Sequence, residues 1–182
     1  MICEVNRDVN MINNEIMNKN IDIPIEKLYY TFDNLRNDLR NIVDNINKSE
    51  WEPDIIIGPC RGAYIPGVML SHWYKKPFHG FTWQTRDGNE KDYDGLFSIL
   101  KNNMNKNILI IDDINDSGVT LNGINDTISE YYTKNNINMN EDSFKFCVLF
   151  NKKKSSFKNV DYYAKILEPD YDPWIVFPYE EW

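Results

Sequence analysis

The apolar run Ile108–Ile111 ends directly in two aspartates, and the segment Asp112–Thr120 that follows constrains this chain more than any other. Four consecutive apolar residues indicate a buried strand, and the glycine-containing loop after the acids opens an amphipathic helix. A helix N-terminus preceded by hydroxyls and glycine presents N–H and O–H donors to a phosphate. Adjacent carboxylates instead suit sugar hydroxyls or a divalent cation. The segment therefore predicts a ligand that combines phosphate, sugar and metal.

The size and composition of the chain favour a single globular domain. It has 182 residues, of which 42% are apolar and 14% aromatic, enough for one substantial core. We expect that domain to cover residues 25–182, preceded by a polar N-terminal extension at residues 1–24. Within the extension, Val5, Val9, Ile12 and Ile16 recur at helical spacing and are compatible with a short packed helix.

Charge and cysteine content exclude several classes of protein. The net charge of −8 makes broad binding to nucleic acid unfavourable. No apolar stretch reaches the roughly 20 residues of a membrane span, and the N-terminus lacks the apolar region of a secretory signal. The three cysteines are far apart, which is typical of reduced thiols in the cytoplasm. We predict a cytoplasmic protein with no membrane partner.

Apolar periodicity divides the chain into alternating strands and helices, which predicts an α/β fold with a parallel sheet and right-handed crossovers. Ligands bind such sheets beyond the C-terminal ends of the strands. The helix after the second strand is expected to turn Ile65, Val68, Met69 and Trp73 inward, and the helix after Asp112–Thr120 to turn Leu121, Ile124, Ile128 and Tyr131 inward. The predicted strands are Lys27–Thr31, Asp54–Gly58, Phe78–Gln84, Ile108–Asp112, Phe144–Phe150 and Asp161–Leu167. The predicted helices are Asp33–Asn47, one that ends near Tyr74, Gly118–Tyr132 and, as a short helix or turn, Phe97–Met104.

The turn Pro59–Ala63 follows the second strand and lies at the same predicted edge. Such a turn is often an ordinary strand–helix connection with a surface arginine. Alternatively, Gly62 lets backbone amides approach an anion closely, and Arg61 supplies a planar charged fork. The second reading predicts a pyrophosphate site that faces Asp112–Thr120.

The arrangement of four apolar residues, Asp112-Asp113, two residues and then Asp116-Ser117-Gly118-Val119-Thr120 resembles the phosphoribosyl-pyrophosphate signature of type I phosphoribosyltransferases. The resemblance runs from about residue 28 to the C-terminus. It implies that Asp112 and Asp113 bind the ribose hydroxyls and that Ser117, Gly118, Val119 and Thr120 wrap the 5′-phosphate. It also implies that Asp116 is the catalytic acid or base, and that Asp113 contacts a bound Mg²⁺.

The same resemblance assigns the turn after the second strand to pyrophosphate, through Cys60, Arg61 and Gly62. The family turn reads Ser-Arg-Gly-Gly or similar, so Cys60 replaces a serine and Ala63 a second glycine; the alanine restricts φ at that position. The family turn often contains a non-proline cis peptide, which we expect around Cys60–Arg61.

Residues at the other end of the predicted site resemble the 6-oxopurine branch of the family, in particular the bacterial members that act on xanthine and guanine. A lysine after the fifth strand, Lys152, is implied to donate to the purine O6, which adenine lacks. We interpret Lys153 and Lys154 as ordinary solvated lysines. Trp174 is either a packing residue or, as the resemblance implies, an aromatic lid stacked on the base, with main-chain contacts from Ile175.

The segment Arg86–Gly95 is charged and is the best candidate for a mobile surface loop. Arg86 is either an ordinary loop arginine or a second pyrophosphate ligand that closure brings over the reacting centre. The resemblance further implies a small C-terminal hood over the base, and a homodimer or homotetramer. The predicted reaction transfers ribose 5-phosphate from phosphoribosyl pyrophosphate to guanine, xanthine or hypoxanthine. Two alternatives remain, namely transfer to another base, and a regulator that senses phosphoribosyl pyrophosphate without turnover.

Overall fold

The computed structural model describes residues 26–85, 88 and 90–180. The predicted N-terminal extension, with its helical pattern, lies outside the described residues. The strands are β1 (Lys27–Tyr29), β2 (Ile55–Cys60), β3 (Phe78–Thr82), β4 (Ile108–Asn115), β5 (Phe144–Lys152), β6 (Tyr162–Leu167) and β7 (Trp174–Val176). The helices are α1 (Phe32–Lys48), α2 (Tyr64–Tyr74), α3 (Tyr93–Asn102) and α4 (Val119–Lys134), with a 3₁₀ turn at Glu141–Ser143.

Five of these strands form one parallel sheet in the order β3-β2-β4-β5-β6. The prediction of an α/β fold with a parallel sheet is confirmed. β1 and β7 pair in parallel as a separate two-stranded sheet, in which Leu28 lies opposite Ile175. The sequence did not predict β7, because a three-residue strand next to a proline has no resolvable period.

Alternation along the strands explains the layers on either side of the sheet. Ile108 and Ile110 belong to the core shared with α3 and α4, whereas Leu109 and Ile111 belong to the core shared with α1 and α2. Successive side chains of a strand point to opposite faces, so an uninterrupted apolar run is what a strand covered on both faces requires. The sheet is consequently buried between two pairs of helices.

The strand order creates a crevice at one place in particular. From β2 the chain passes through α2 to β3 on one side, whereas β4 lies on the other side of β2. The connections after β2 and β4 therefore leave in opposite directions, which opens a gap at the carboxyl ends of these two neighbouring strands. The turn Pro59–Ala63 and the segment Asp112–Thr120 both lie at this gap.

The prediction for α2 is wrong, because the apolar side expected from the sequence does not face the core. Ile65, Val68 and Trp73 are exposed by 37%, 42% and 57%, and Met69 is only partly buried. The buried face instead consists of Pro66, Gly67 and Leu70. This helix lies very close to β3, since a Cβ at Gly67 would stand 2.2 Å from Phe78 Cε2. Small residues are needed where backbones approach closely, so the bulky side chains turn outward.

Two smaller corrections concern the other helices. α3 begins at Tyr93, so the end of the predicted loop Arg86–Gly95 is helical, capped by the Asp92 carboxylate, which accepts from the Gly95 N–H at 2.8 Å. In α4 the residue buried after Ile128 is Tyr132, one turn further on, and Tyr131 is only partly buried. Within the described part of the chain, no helix is long and apolar enough to cross a membrane.

Candidate active site

The gap between β2 and β4 holds a cavity of about 370 Å³. The structure brings most of the predicted site residues to its wall, from four separate stretches of the chain. Arg61 and Val119 do not line it, and Arg86 lies outside the described residues. The predicted residues that line the cavity are Cys60, Gly62, Asp112, Asp113, Asp116, Ser117, Gly118, Thr120, Lys152, Trp174 and Ile175. Their roles stay predictions, but their common location is a property of the fold.

The loop at the start of α4 is held in a shape that only glycine adopts easily. Gly118 has φ of 88° at the N-cap of the 16-residue helix α4. A Cβ at Gly118 would lie 2.4 Å from the backbone nitrogen of Phe157, so the loop packs directly on the segment after β5. Ser156 strengthens this contact, since its N–H and its hydroxyl both donate to the carbonyl of Ser117, at 3.0 and 2.7 Å. The loop is thus a braced turn at a helix N-terminus, a position where backbone N–H groups can bind an anion.

The two adjacent aspartates differ in exposure but share a raised pKa. Asp112 is 7% exposed, and burial together with the neighbouring charge of Asp113 raises the pKa of its carboxyl. Burial, followed by the charge of Glu180, raises the pKa of Asp113 to about 6, against the effect of a hydrogen bond donated by the Tyr179 hydroxyl at 3.3 Å. Ionised carboxylates in this setting are poorly solvated. They would be stabilised by a cation or by hydroxyl donors from a ligand.

The turn after β2 contributes its backbone more than its arginine. The Cys60–Arg61 peptide is cis, which confirms that prediction. Gly62 lies against the acid pair, because a Cβ there would stand 2.4 Å from Asp113 Oδ2. Ala63 adopts φ of −72° and ψ of −17°, an ordinary helical conformation, so the second glycine of the family turn is not needed here. Arg61 itself is exposed and is not among the residues that line the cavity.

Lys152 is a buried cation of the site that forms ion pairs with two carboxylates. It ends β5, is 8% exposed, and its ammonium lies 2.6 Å from Asp116 Oδ1 and 2.6 Å from Asp172 Oδ1. Burial by itself would lower the pKa of Lys152, but the hydrogen bonds to Asp116 and Asp172 outweigh burial and raise it. Hydrogen bonds from Lys152 and then from Lys154 lower the pKa of Asp172. The lysine therefore stays charged at the cavity wall.

The C-terminal segment covers one end of the cavity. β7 pairs with β1, and the Trp174 N–H donates to the Glu26 carbonyl at 2.7 Å. Trp174 is 51% exposed, whereas Ile175 is buried. Both line the cavity together with Pro173 and Phe177. A half-exposed indole beside a buried strand gives this end a flat apolar wall of the kind that an aromatic ring stacks on.

A family model for the phosphoribosyl transferase domain matches residues 29–181. The chain belongs to the phosphoribosyltransferase family. No curated protein matches this sequence. The match covers the five-stranded sheet, the signature Asp112–Thr120 and the C-terminal segment that contains β7.

Solved structures of phosphoribosyltransferases share this fold. A purine phosphoribosyltransferase from Pyrococcus horikoshii is 26% identical, with a TM-score of 0.64 over 87% of this chain and 96% of that one. A hypothetical protein from Neisseria gonorrhoeae with bound ppGpp is 20% identical, with a TM-score of 0.63 over 86% and 90% of the two chains. A xanthine-guanine-hypoxanthine phosphoribosyltransferase from Helicobacter pylori is 19% identical, with a TM-score of 0.56 over 86% and 93%.

The structure adds residues to this phosphoribosyltransferase site that the sequence did not single out. Asp172 pairs with Lys152, Glu180 lines the cavity and raises the pKa of Asp113, and Tyr179 donates to Asp113. Asp172 and Glu180 lie on either side of Trp174 in the C-terminal segment. These flanking acidic residues were the signal in the sequence that could have identified them as site residues. No local pattern connects Tyr179 with Asp113, which are 66 residues apart in the chain.

Proposed function

We propose that this phosphoribosyltransferase transfers ribose 5-phosphate from phosphoribosyl pyrophosphate to guanine, xanthine or hypoxanthine, with release of pyrophosphate. The observation that carries the proposal is the pair formed by Lys152 and Asp116, 2.6 Å apart at the wall of the cavity. The similarity to the purine phosphoribosyltransferase from Pyrococcus horikoshii, at 26% identity over 87% of this chain, supports a purine as the acceptor.

The pair matches one edge of a 6-oxopurine. O6 and N7 are neighbours on that edge, O6 being an acceptor and N7 the position where a proton is lost. An ammonium has three donors and no acceptor; two of the donors of Lys152 face Asp116 and Asp172, and the third suits O6. The amino group at the same position of adenine is itself a donor and would meet an ammonium unfavourably. Trp174 and Ile175 would hold the ring face and the opposite edge.

The reaction breaks the bond between ribose C1 and pyrophosphate as the purine N9 attacks C1. In this proposal Asp116 takes the proton from N7, which leaves N9 its electron pair for the new bond. Asp112 and Asp113 hold the ribose hydroxyls and stabilise the positive charge that develops at C1. The loop Ser117–Thr120 holds the 5′-phosphate. The turn at Cys60–Gly62 holds pyrophosphate, with Arg61 and Arg86 as further ligands in the proposal.

Mg²⁺ is proposed as the cofactor because the cavity cannot neutralise such an anionic donor by itself. Within the described part of the chain, four carboxylates line it (Asp112, Asp113, Asp116 and Glu180), against a single lysine. Among the described residues, no group of three or more His, Cys, Asp or Glu side chains is placed to hold a metal alone. Mg²⁺ commonly binds through one or two carboxylates, substrate phosphates and water, and Asp113 at the ribose end fits that role. When bound, the ion would neutralise pyrophosphate as it leaves.

The decisive experiment measures pyrophosphate release from phosphoribosyl pyrophosphate and Mg²⁺ with guanine, xanthine, hypoxanthine, adenine, uracil and orotate in turn. We expect turnover with at least one 6-oxopurine and none with adenine. Turnover only with a pyrimidine would replace the proposed acceptor. Absence of turnover with every base, together with salt-sensitive RNA binding, would favour the regulator.

The proposed role of Lys152 has a matched control on the same strand end. Lys152→Met removes the donor to O6 and should raise KM for the 6-oxopurine at least ~10-fold, the usual scale for a lost charged hydrogen bond. Lys153→Met removes a neighbouring lysine whose partner is the exposed Glu168, at 2.7 Å, and should leave KM unchanged. Equal effects of the two substitutions would contradict the assignment.

We also propose that the protein forms a homodimer or homotetramer. The support is the outward face of α2, where Ile65, Val68 and Trp73 are exposed on a helix that is apolar on both sides. Light scattering after size exclusion should give a multiple of the 21.6 kDa chain mass. Trp73→Glu should shift the equilibrium towards the monomer, and a wild-type monomer at micromolar concentration would contradict the proposal.

A further inference from the structure

A fully buried asparagine lies between the predicted base end and the phosphate loop. Asn115 is the last residue of β4 and is 1% exposed. Its Nδ2 donates to Asn151 Oδ1 and to the Phe157 carbonyl, both at 2.9 Å, and its Oδ1 accepts from the Ser155 hydroxyl at 2.7 Å. Every polar atom of this side chain therefore has a protein partner, which is the condition for a buried amide to hold its surroundings in one arrangement.

One side of this network leads to the pair proposed to recognise the base. Asn115 and Asn151 lie opposite each other in the register of β4 and β5. The residues that follow Asn115 and Asn151 in the chain are Asp116, just beyond β4, and Lys152, the last residue of β5, and their side chains are also paired, at 2.6 Å. The amide contact and the ion pair are thus consecutive cross-strand contacts. A shift at Asn115 would change the distance and angle between Asp116 and Lys152.

The other side of the network leads to the phosphate loop. Ser155 and Phe157, which bond to Asn115, flank Ser156, whose N–H and hydroxyl both donate to the Ser117 carbonyl. Phe157 also carries the backbone nitrogen on which Gly118 packs. The segment that braces the phosphate loop is therefore fastened to the core through the same amide that bonds to Asn151.

We infer that Asn115 is a positioning residue that couples the phosphate subsite to the base subsite. A phosphate held by Ser117–Thr120 orders the loop and the segment Ser155–Phe157 behind it. Asn115 transmits this ordering to Asn151. The side chains of Lys152 and Asp116 are thereby held in the positions that bind the base. Each ligand should therefore bind more tightly when the other is present, by the same factor in both directions. The inference rests on the proposed function, because it needs a phosphorylated sugar and a purine as the two ligands.

The test measures coupling directly by calorimetry. The Kd of the best 6-oxopurine is measured with and without saturating ribose 5-phosphate and magnesium pyrophosphate, a set of ligands that occupies the site without turnover. We expect the wild-type protein to bind the base at least ~5-fold more tightly with the sugar phosphate present, the lower end of ordinary coupling. In Asn115→Leu, which keeps the branched shape of the side chain and removes the three hydrogen bonds, the factor should fall towards one.

Two further variants separate positioning from a general loss of stability. Ser155→Ala removes the hydrogen bond donated to Asn115 Oδ1 and the longer one accepted from the Phe157 N–H at 3.3 Å, and should give an intermediate coupling factor even if Asn115→Leu does not fold. Asn103→Leu replaces another buried asparagine, far from the site, whose Nδ2 donates to the Ile99 carbonyl at 2.8 Å. It should destabilise the protein and leave the coupling factor at the wild-type value.

The failures of the two hypotheses are distinguishable. A wild-type coupling factor of one, or an unchanged factor in both Asn115→Leu and Ser155→Ala, would overturn the inference while turnover with a purine continued to support the proposed function. If no purine is bound or turned over, the proposed function fails, and the inference fails with it.

Discussion

The turns that follow β2 and β4 leave neighbouring strands at the same gap but are built differently. The loop after β4 is braced from behind by Ser155–Phe157, and its glycine fits against backbone. The turn after β2 places Cys60 and Gly62 at the cavity, whereas its arginine is exposed. A braced loop loses less conformational freedom on binding than an exposed arginine, which must be ordered when the ligand arrives. The loop after β4 should therefore contribute more to the free energy of donor binding than the turn after β2.

The largest effect should come from Asp116, at the start of the loop after β4. Asp116→Asn keeps the shape of the side chain and removes the base that accepts the purine proton. We expect kcat to fall by ~10²–10⁴-fold, the usual range for one acid–base group, with a much smaller change in KM for the donor. Single-turnover kinetics with saturating donor would measure this. A large rise in donor KM with a preserved kcat would remove the catalytic assignment and reduce Asp116 to a binding residue.

The second prediction compares the glycines of the two turns. At Gly118 a Cβ would meet the Phe157 backbone nitrogen at 2.4 Å, and φ is 88°, which costs about 1–3 kcal/mol for a non-glycine residue. At Gly62 the three nearest atoms all belong to the carboxylate of Asp113, the closest at 2.4 Å, and a side chain can rotate away.

Gly118→Ala should consequently lower both the free energy of unfolding and kcat/KM for the donor. Gly62→Ala should displace the Asp113 carboxylate and raise the donor KM, with a smaller loss of stability. Urea denaturation of both variants measures the loss in free energy of unfolding, and steady-state kinetics measures their donor KM and kcat/KM. If Gly62→Ala is the more destabilised protein, the pyrophosphate turn is the more rigid of the two and the comparison is reversed.

The difference between the turns also explains what could be read from the sequence. The loop after β4 is a local structure, since its strand, acids, glycine and helix are contiguous, so its place in the fold could be predicted from one segment. The bracing by Ser155–Phe157 comes from residues about 40 positions away. No period or spacing in the sequence connects Ser156 with Ser117.

The error in α2 has a different cause. Ile65, Val68 and Trp73 form a good apolar stripe, and burial of bulky side chains is the usual result of such a stripe. Here the position that faces Phe78 has no room for a Cβ, so it has to be a glycine. The face of α2 that contains Gly67 therefore packs on the sheet. The requirement for close approach to β3 outweighed side-chain hydrophobicity. A glycine next to a proline on one face was the signal available in the sequence.

The smallest effect should come from Arg61, the exposed side chain of the pyrophosphate turn. Arg61→Ala should leave the free energy of unfolding within about 0.5 kcal/mol of wild type, as expected for an exposed residue. If the arginine closes on pyrophosphate in the complex, the donor KM should rise by ~10-fold, and Arg61→Lys should restore only part of the loss because an ammonium cannot bind two phosphate oxygens side by side. Arg36→Ala is the control, since Arg36 is also exposed and its ion-pair partner among the described residues is Asp33 on α1, at 3.0 Å. Equal donor KM values for Arg61→Ala and Arg36→Ala would show that the turn binds pyrophosphate through its backbone alone, which would make the contrast with the loop after β4 still sharper.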